Sequence, residues 1–229
     1  MSEAPPPSGE GWTLTRLRAL VRLVALRVRR LVFQDLPPDE VEAVREHIRE
    51  EGVLTERYVL MSALSAGIAT LGLLQSSAAV VIGAMLVSPL MGPIAALGYG
   101  IASLDAERTI RAARAVGIGV LVGVLVGMVI TGLSPIRNPT PEIITAPTLL
   151  DLAVALLSGV AGGYATVHRR GETAIGVAIA TALMPPLATV GYSIATARLD
   201  FVFGSVLLFL TNLAAISFAF AVVTRLRGV

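Results

Sequence analysis

Five stretches of this chain carry no Asp, Glu, Arg, Lys or His: residues 58–104, 115–136, 152–167, 173–197 and 201–224. A helix crosses the hydrocarbon core of a bilayer in about 20 apolar residues. The first stretch is long enough for two crossings and the others for one each, the shortest by drawing on apolar residues from Thr148 onward. The sequence therefore predicts an all-α integral membrane protein with six transmembrane helices, near residues 54–74, 78–103, 110–133, 148–167, 173–197 and 201–224. Composition agrees, since 55% of the 229 residues are hydrophobic and only 15% are charged, which is more apolar than a soluble domain of this length. Cysteine is absent, which excludes disulfides and thiolate chemistry.

Arginine orients these helices. The chain has no lysine, so all 18 basic residues are arginine. With the N-terminus in the cytoplasm, 16 of them fall on cytoplasmic segments: nine from Arg16 to Arg57, then Arg108, Arg111, Arg114, Arg169, Arg170, Arg225 and Arg227. Only Arg137 and Arg198 fall on the other side. Every loop obeys the positive-inside rule, and a miscount by one span would destroy that agreement. Both termini are expected in the cytoplasm.

Ahead of the spans, residues 1–11 read as a disordered, proline-rich tail, and residues 12–52 as cytoplasmic or interfacial amphipathic helices. Between 12 and 33 an apolar stripe runs at helical spacing, and Arg16, Arg18, Arg22, Arg27, Arg29 and Arg30 lie off it. Six arginines forbid a crossing. The helix is expected to lie on an anionic leaflet, or to pack its stripe on the protein's own membrane region. Pro37 and Pro38 end that segment, and Asp39 with Glu42 reads as a capping box opening a helix to about Glu51, with Val41, Val44 and Ile48 on one face. The lipid bilayer is the partner this pattern implies. Nucleic acid is not expected.

The spans repeat. Residues 82–102 align without a gap on residues 175–195, at an offset of 93, and ten of the 21 positions are identical, including Leu90, Met91, Pro93, Gly98 and Tyr99. Composition alone supplies about two or three such matches, so the register is not chance. The unit is three helices: repeat 1 at residues 53–133 and repeat 2 at 148–225, with an extracytoplasmic linker at 134–147 rich in proline and a cytoplasmic tail at 226–229. An odd number of crossings per unit inverts one half relative to the other. Inverted repeats with interrupted helices at matching positions are the pattern of secondary transporters.

Proline supplies the interruptions. Pro89 and Pro93 in helix 2, and Pro185 and Pro186 in helix 5, lie near mid-span. Each removes a helical donor, so the carbonyls of Met85, Pro89, Thr181 and Ala182 lose their usual partners. Such breaks persist in a membrane only where protein or a water-lined cavity covers them. The expected solute site or gate is therefore built from Ser88, Pro89, Met91, Gly92 and Pro93 with Thr181, Met184, Pro185, Pro186 and Thr189, with both helices broken. Ser65 and Asn212 are secondary polar groups, Asn212 as an interhelical hydrogen bond. Gly119, Gly123 and Gly127 allow close helix approach within the subunit or between subunits, and a homo-oligomer is expected. Tyr99 and Tyr192 read as interfacial aromatics. His47 and His168 lie outside the spans, and no acid–base pair or metal-ligating cluster lies within them. Neither an enzyme nor a cofactor is expected.

The run Ser-Ala-Leu-Ser-Ala-Gly-Ile-Ala-Thr-Leu-Gly-Leu-Leu at 62–74, Gly-Ala-Met-Leu-Val-Ser-Pro-Leu-Met-Gly-Pro at 83–93 and Ala-Thr-Ala-Leu-Met-Pro-Pro-Leu at 180–187 resemble a bacterial and archaeal membrane family, domain of unknown function 389. The resemblance covers roughly residues 53–224. It implies a multi-pass protein of a prokaryotic cytoplasmic (inner) membrane and brings no substrate or site residues with it. Two functions follow from the residues themselves: a transporter or channel for a small solute passing between the broken helices, or a non-transporting oligomeric scaffold or lipid sensor. A water-accessible cavity at the prolines argues for the first, and a dry centre for the second.

Overall fold

The computed structural model describes residues 37–135, 148–168 and 172–229, apart from the side chains of 172–175, 177 and 178. The tail 1–11, the arginine-rich stretch 12–33 and most of the 134–147 linker lie outside the described residues. The charge-free stretches fold into helices, and polar residues at their edges start them. Helix α1 spans Pro38–Glu51, α2 Glu56–Leu74, α3 Ala78–Val87, α4 Met91–Ala102 and α5 Ala106–Leu133. Helix α6 spans Leu149–His168, α7 Glu172–Ala195 and α8 Leu199–Leu226. Thr55, Ser77 and Asp105 cap α2, α3 and α5 by accepting the backbone N–H of Tyr58, Val80 and Arg108. That last bond, and then the Arg108 charge, hold the Asp105 carboxyl below the usual carboxylate range.

Two expected starts are corrected. Helix α1 begins at Pro38 with Pro37 as its cap residue and no side-chain cap, so Asp39 sits inside the first turn and no capping box forms. Proline at the first helical position needs no such cap for its own nitrogen. Helix α5 begins four residues before Ile110, because Asp105 rather than the end of the charges sets its start.

Helices α2, α5, α6 and α8 are each long and apolar enough to cross a membrane, and α3 with α4 make a fifth such unit, bent by 62°. The described side chains of α7 give a shorter apolar run, Ile179–Ala195. Large apolar side chains also cover the outside, with Leu121, Leu157, Phe203 and Phe218 all mostly exposed. A surface of that kind suits hydrocarbon and not water. The apolar helices point to a multi-pass membrane protein.

Helix α2 packs on α3 and α5, and α4 on α5; α6 packs on α7 and α8, and α7 on α8. Across these two groups, α4 meets α8 and α5 meets α7. The glycines of α5 serve this packing. A Cβ on Gly119 would lie 2.1 Å from the Tyr58 hydroxyl, one on Gly123 2.8 Å from Leu187, and one on Gly127 3.3 Å from the Gly191 Cα. The stripe is therefore used inside the chain and offers no surface to a second copy. Tyr99 and Tyr192 are also buried, at 5% and 0% exposure, so they are core residues rather than interfacial anchors.

Helix α1 lies across one end of the bundle. Val44 and Ile48 bury against Ala95, Ala96, Tyr99, Ala112 and Phe220. At the same end Arg225 donates to the Ala102 carbonyl at 3.0 Å, and Arg227 bonds His168 Nε2 at 3.0 Å. His168 Nδ1 lies 2.8 Å from the Tyr164 carbonyl, so Nδ1 carries the hydrogen and Nε2 accepts from arginine.

Candidate solute site at a broken helix

The two proline motifs do not do the same thing. In the first, the helix stops. Pro89 cannot donate to Met85, and the chain turns through Ser88, whose N–H reaches the Met85 carbonyl at 3.3 Å. The Ala84 carbonyl, left without its own donor, accepts the Ser65 hydroxyl at 2.7 Å. Pro93 then falls in the first turn of α4, where a missing N–H costs nothing. In the second motif the helix continues: α7 runs unbroken with Pro185 and Pro186 inside it. The expectation of a broken helix 5 is corrected. The Ala182 carbonyl freed by Pro186 accepts the Asn212 side-chain amide from α8 at 2.9 Å, so that carbonyl is satisfied from the neighbouring helix. Asn212 is thus the interhelical hydrogen bond expected of it. Ser65 has the matching role at the first motif.

The break opens a cavity of about 520 Å³. Ser88, Pro89, Met91 and Gly92 line it, together with Met85, Met61 and Tyr58, and its rim carries Glu50, Glu51, Thr55 and Arg57. The Ser88 hydroxyl is buried and has no hydrogen-bond partner among the described residues. The first amides of α4, at Met91 and Gly92, have no acceptor within their own helix. Arg57 makes no ion pair among the described residues. The cavity therefore offers polar groups beside an apolar wall, the usual make-up of a small-molecule pocket.

The other half of the expected site does not reach this cavity. Met184, Pro186 and Thr189 are buried and Thr181 is exposed, and none of the four lines the space, nor does Pro185. Met184 packs in one apolar cluster with Leu90, Ile94, Leu183 and Leu187. The Thr189 hydroxyl bonds the Pro185 carbonyl at 2.9 Å, so it is spent within its own helix. Pro93 is buried beneath the cavity floor rather than lining it. Of the carbonyls expected to be freed, that of Met85 accepts the Ser88 N–H and that of Ala182 accepts Asn212. The rim residues escaped sequence reasoning because they lie 30 or more positions from Pro89, at the end of α1, in the link that follows it and in the first turn of α2. Arg57, the last charge before the first apolar stretch, was the available signal.

Gly92 has a specific task at this rim. A Cβ there would lie 2.4 Å from the Glu51 carbonyl oxygen, so glycine lets the end of α1 sit directly on the first turn of α4.

A family model described as "Domain of unknown function (DUF389)" matches residues 85–218, from the broken helix into α8. The chain belongs to this family. An uncharacterised protein of Methanocaldococcus jannaschii is 30% identical over 207 residues, covering 84% of this chain and 65% of the relative. The chain thus spans less than two thirds of that relative's length. No solved structure matches it. The DUF389 match takes in both proline motifs, Asn212 and the helix break, but not α1 or the rim residues Glu50, Glu51 and Arg57.

Proposed function

We propose that this DUF389 chain crosses a prokaryotic inner membrane six times as two inverted three-helix repeats, and that it moves a small solute through the cavity at the helix 2 break. The cavity carries the reading: a buried, unpartnered serine hydroxyl beside a half-helix N-terminus in an apolar protein is otherwise a cost without a return. The packed layer of Leu90, Met184 and Leu187 then acts as the gate.

Several observations support the inverted repeat. The two main contacts between the repeats are exchanged by swapping them: α4 with α8 answers α5 with α7. The turns after α4 and α7 match bond for bond. Leu104 and Ala197, 93 apart, both have φ 55°. Asp105 N–H donates to Gly100 and Arg198 N–H to Ser193, each at 2.9–3.1 Å. The Ser103 and Thr196 hydroxyls bond the Tyr99 and Tyr192 carbonyls, both at 2.9 Å. Arginine distribution supports a cytoplasmic position for the α1 end. Single cysteines at Leu104 and Ala197 should label from opposite faces of the membrane, Leu104→Cys from the cytoplasm. Labelling from one face would end the inverted arrangement.

A second reading, an oligomeric scaffold or lipid sensor, is favoured by the dry layer between the proline motifs. Flux of a panel of small ions and neutral solutes into proteoliposomes decides between the two. Transport predicts flux in the wild type and its loss in Ser88→Leu. No flux across the panel supports the scaffold.

A further inference from the structure

A second space lies on the outside of the bundle and shares no lining residue with the cavity at the helix break. A groove of about 270 Å³ runs between α5 and α8, floored by α4 and α7. Ten of its 12 lining residues form five pairs 93 apart, among them Leu97 with Val190, Val116 with Phe209 and Gly117 with Leu210. The groove therefore follows the relation between the repeats, and it is lined by apolar residues throughout. Its two ends are not alike. Beside Ala113 stands Arg114, and the matching residue beside Val206 is Leu207. Arg108 and Arg111 are paired with Asp105 and Glu107. Arg114 is exposed and has no ion pair among the described residues.

We propose that this groove holds an acyl chain of a phospholipid whose anionic headgroup sits on Arg114. The inference rests on the cytoplasmic position of Arg114 in the six-span arrangement and not on solute transport. An unfilled apolar groove forfeits the contacts of every atom that lines it. In a bilayer the available filler is a lipid tail. A guanidinium at one end selects the tail's owner, because phosphate and arginine pair through charge-assisted hydrogen bonds in the leaflet where anionic lipid and the protein's arginines meet. A second copy's apolar helix would fill the groove but leave Arg114 uncompensated.

Gly117 permits a clean test. A Cβ there meets nothing within 4 Å, so the backbone accepts a side chain at this point, and Gly117→Leu extends one into the groove and places leucine where the other repeat already has Leu210. The full-length wild type, Gly117→Leu and Arg114→Gln are purified in mild detergent and titrated with phosphatidylglycerol and phosphatidylethanolamine under native mass spectrometry. The wild type should retain one phosphatidylglycerol per chain. Gly117→Leu should lose both lipids. Arg114→Gln should keep the tail site but lose about fivefold in preference for phosphatidylglycerol, the worth of one arginine near a charged surface. No retained lipid in the wild type, equal retention by Gly117→Leu, or an unchanged preference in Arg114→Gln overturns the assignment. So does a change of oligomer mass with lipid unaltered, which would make the groove a subunit interface. Lipid counts do not depend on flux, so a failure here leaves the transport reading standing, and the reverse holds.

Discussion

Helix 2 and helix 5 carry nearly the same words, Ser-Pro-Leu-Met-Gly-Pro and Thr-Ala-Leu-Met-Pro-Pro, yet one breaks by 62° and the other stays whole. The difference lies in one position and one partner. Pro89 in helix 2 aligns with Ala182 in helix 5, four residues before the proline that the two share. Two prolines spaced by four leave no turn intact, whereas two adjacent prolines leave one local defect. The Ala182 carbonyl of that defect is then satisfied by Asn212. The position matching Asn212 in repeat 1 is Gly119, which gives its space to the Tyr58 hydroxyl. The asymmetry of the helices is therefore matched by an asymmetry of their neighbours.

The largest test of this contrast is Ala182→Pro, which copies the helix 2 pattern into helix 5. It should destabilise the protein by about 3 kcal/mol or more, read as thermal melting in detergent. An unchanged melting point would mean that proline spacing is not what separates the two helices. Next, Asn212→Leu leaves the Ala182 carbonyl buried without a donor and should cost about 1–3 kcal/mol; a neutral result would show that helix 5 tolerates its prolines unaided. Thr189→Val removes a side-chain bond to a carbonyl of its own helix and should cost clearly less than Asn212→Leu. The reverse order would move the repair from α8 to α7 itself. The smallest effect belongs to the turn between α4 and α5. The Asp105 carboxyl is held below its ordinary range in the folded protein, so its cap is fully present above the unfolded carboxylate pKa and is lost as pH falls through the folded one. Asp105→Asn should cap without titrating and flatten the acid side of the melting curve; an unaltered curve would remove Asp105 from the acid response.

Much of this was legible in the residues. Charge-free stretches place the helices, because a span tolerates no unpaired charge, and the offset of 93 gives the matched turns at Leu104 and Ala197. Pro89 marks the break. What could not be read was how each freed carbonyl is satisfied. Ser65 to Ala84 and Asn212 to Ala182 join different helices, and periodicity carries no information on which helix faces which. For the same reason Gly119, Gly123 and Gly127 read equally well as an internal or an external surface until Tyr58, Leu187 and Gly191 are seen against them. Proline content alone also overstates helix 5, since a helix bends according to its neighbours as well as its sequence.

On the proposed path, the helix 2 break opens to water on one side of the membrane. The chain has no cysteine, so Ser88→Cys introduces a single thiol at that point. It is treated in sealed vesicles with a membrane-impermeant thiol reagent from either face, and solute flux is measured before and after. The thiol should react from the cytoplasmic face alone, with a loss of flux in step with labelling. A thiol that reacts from neither face, or full labelling with flux unchanged, would contradict the proposed path.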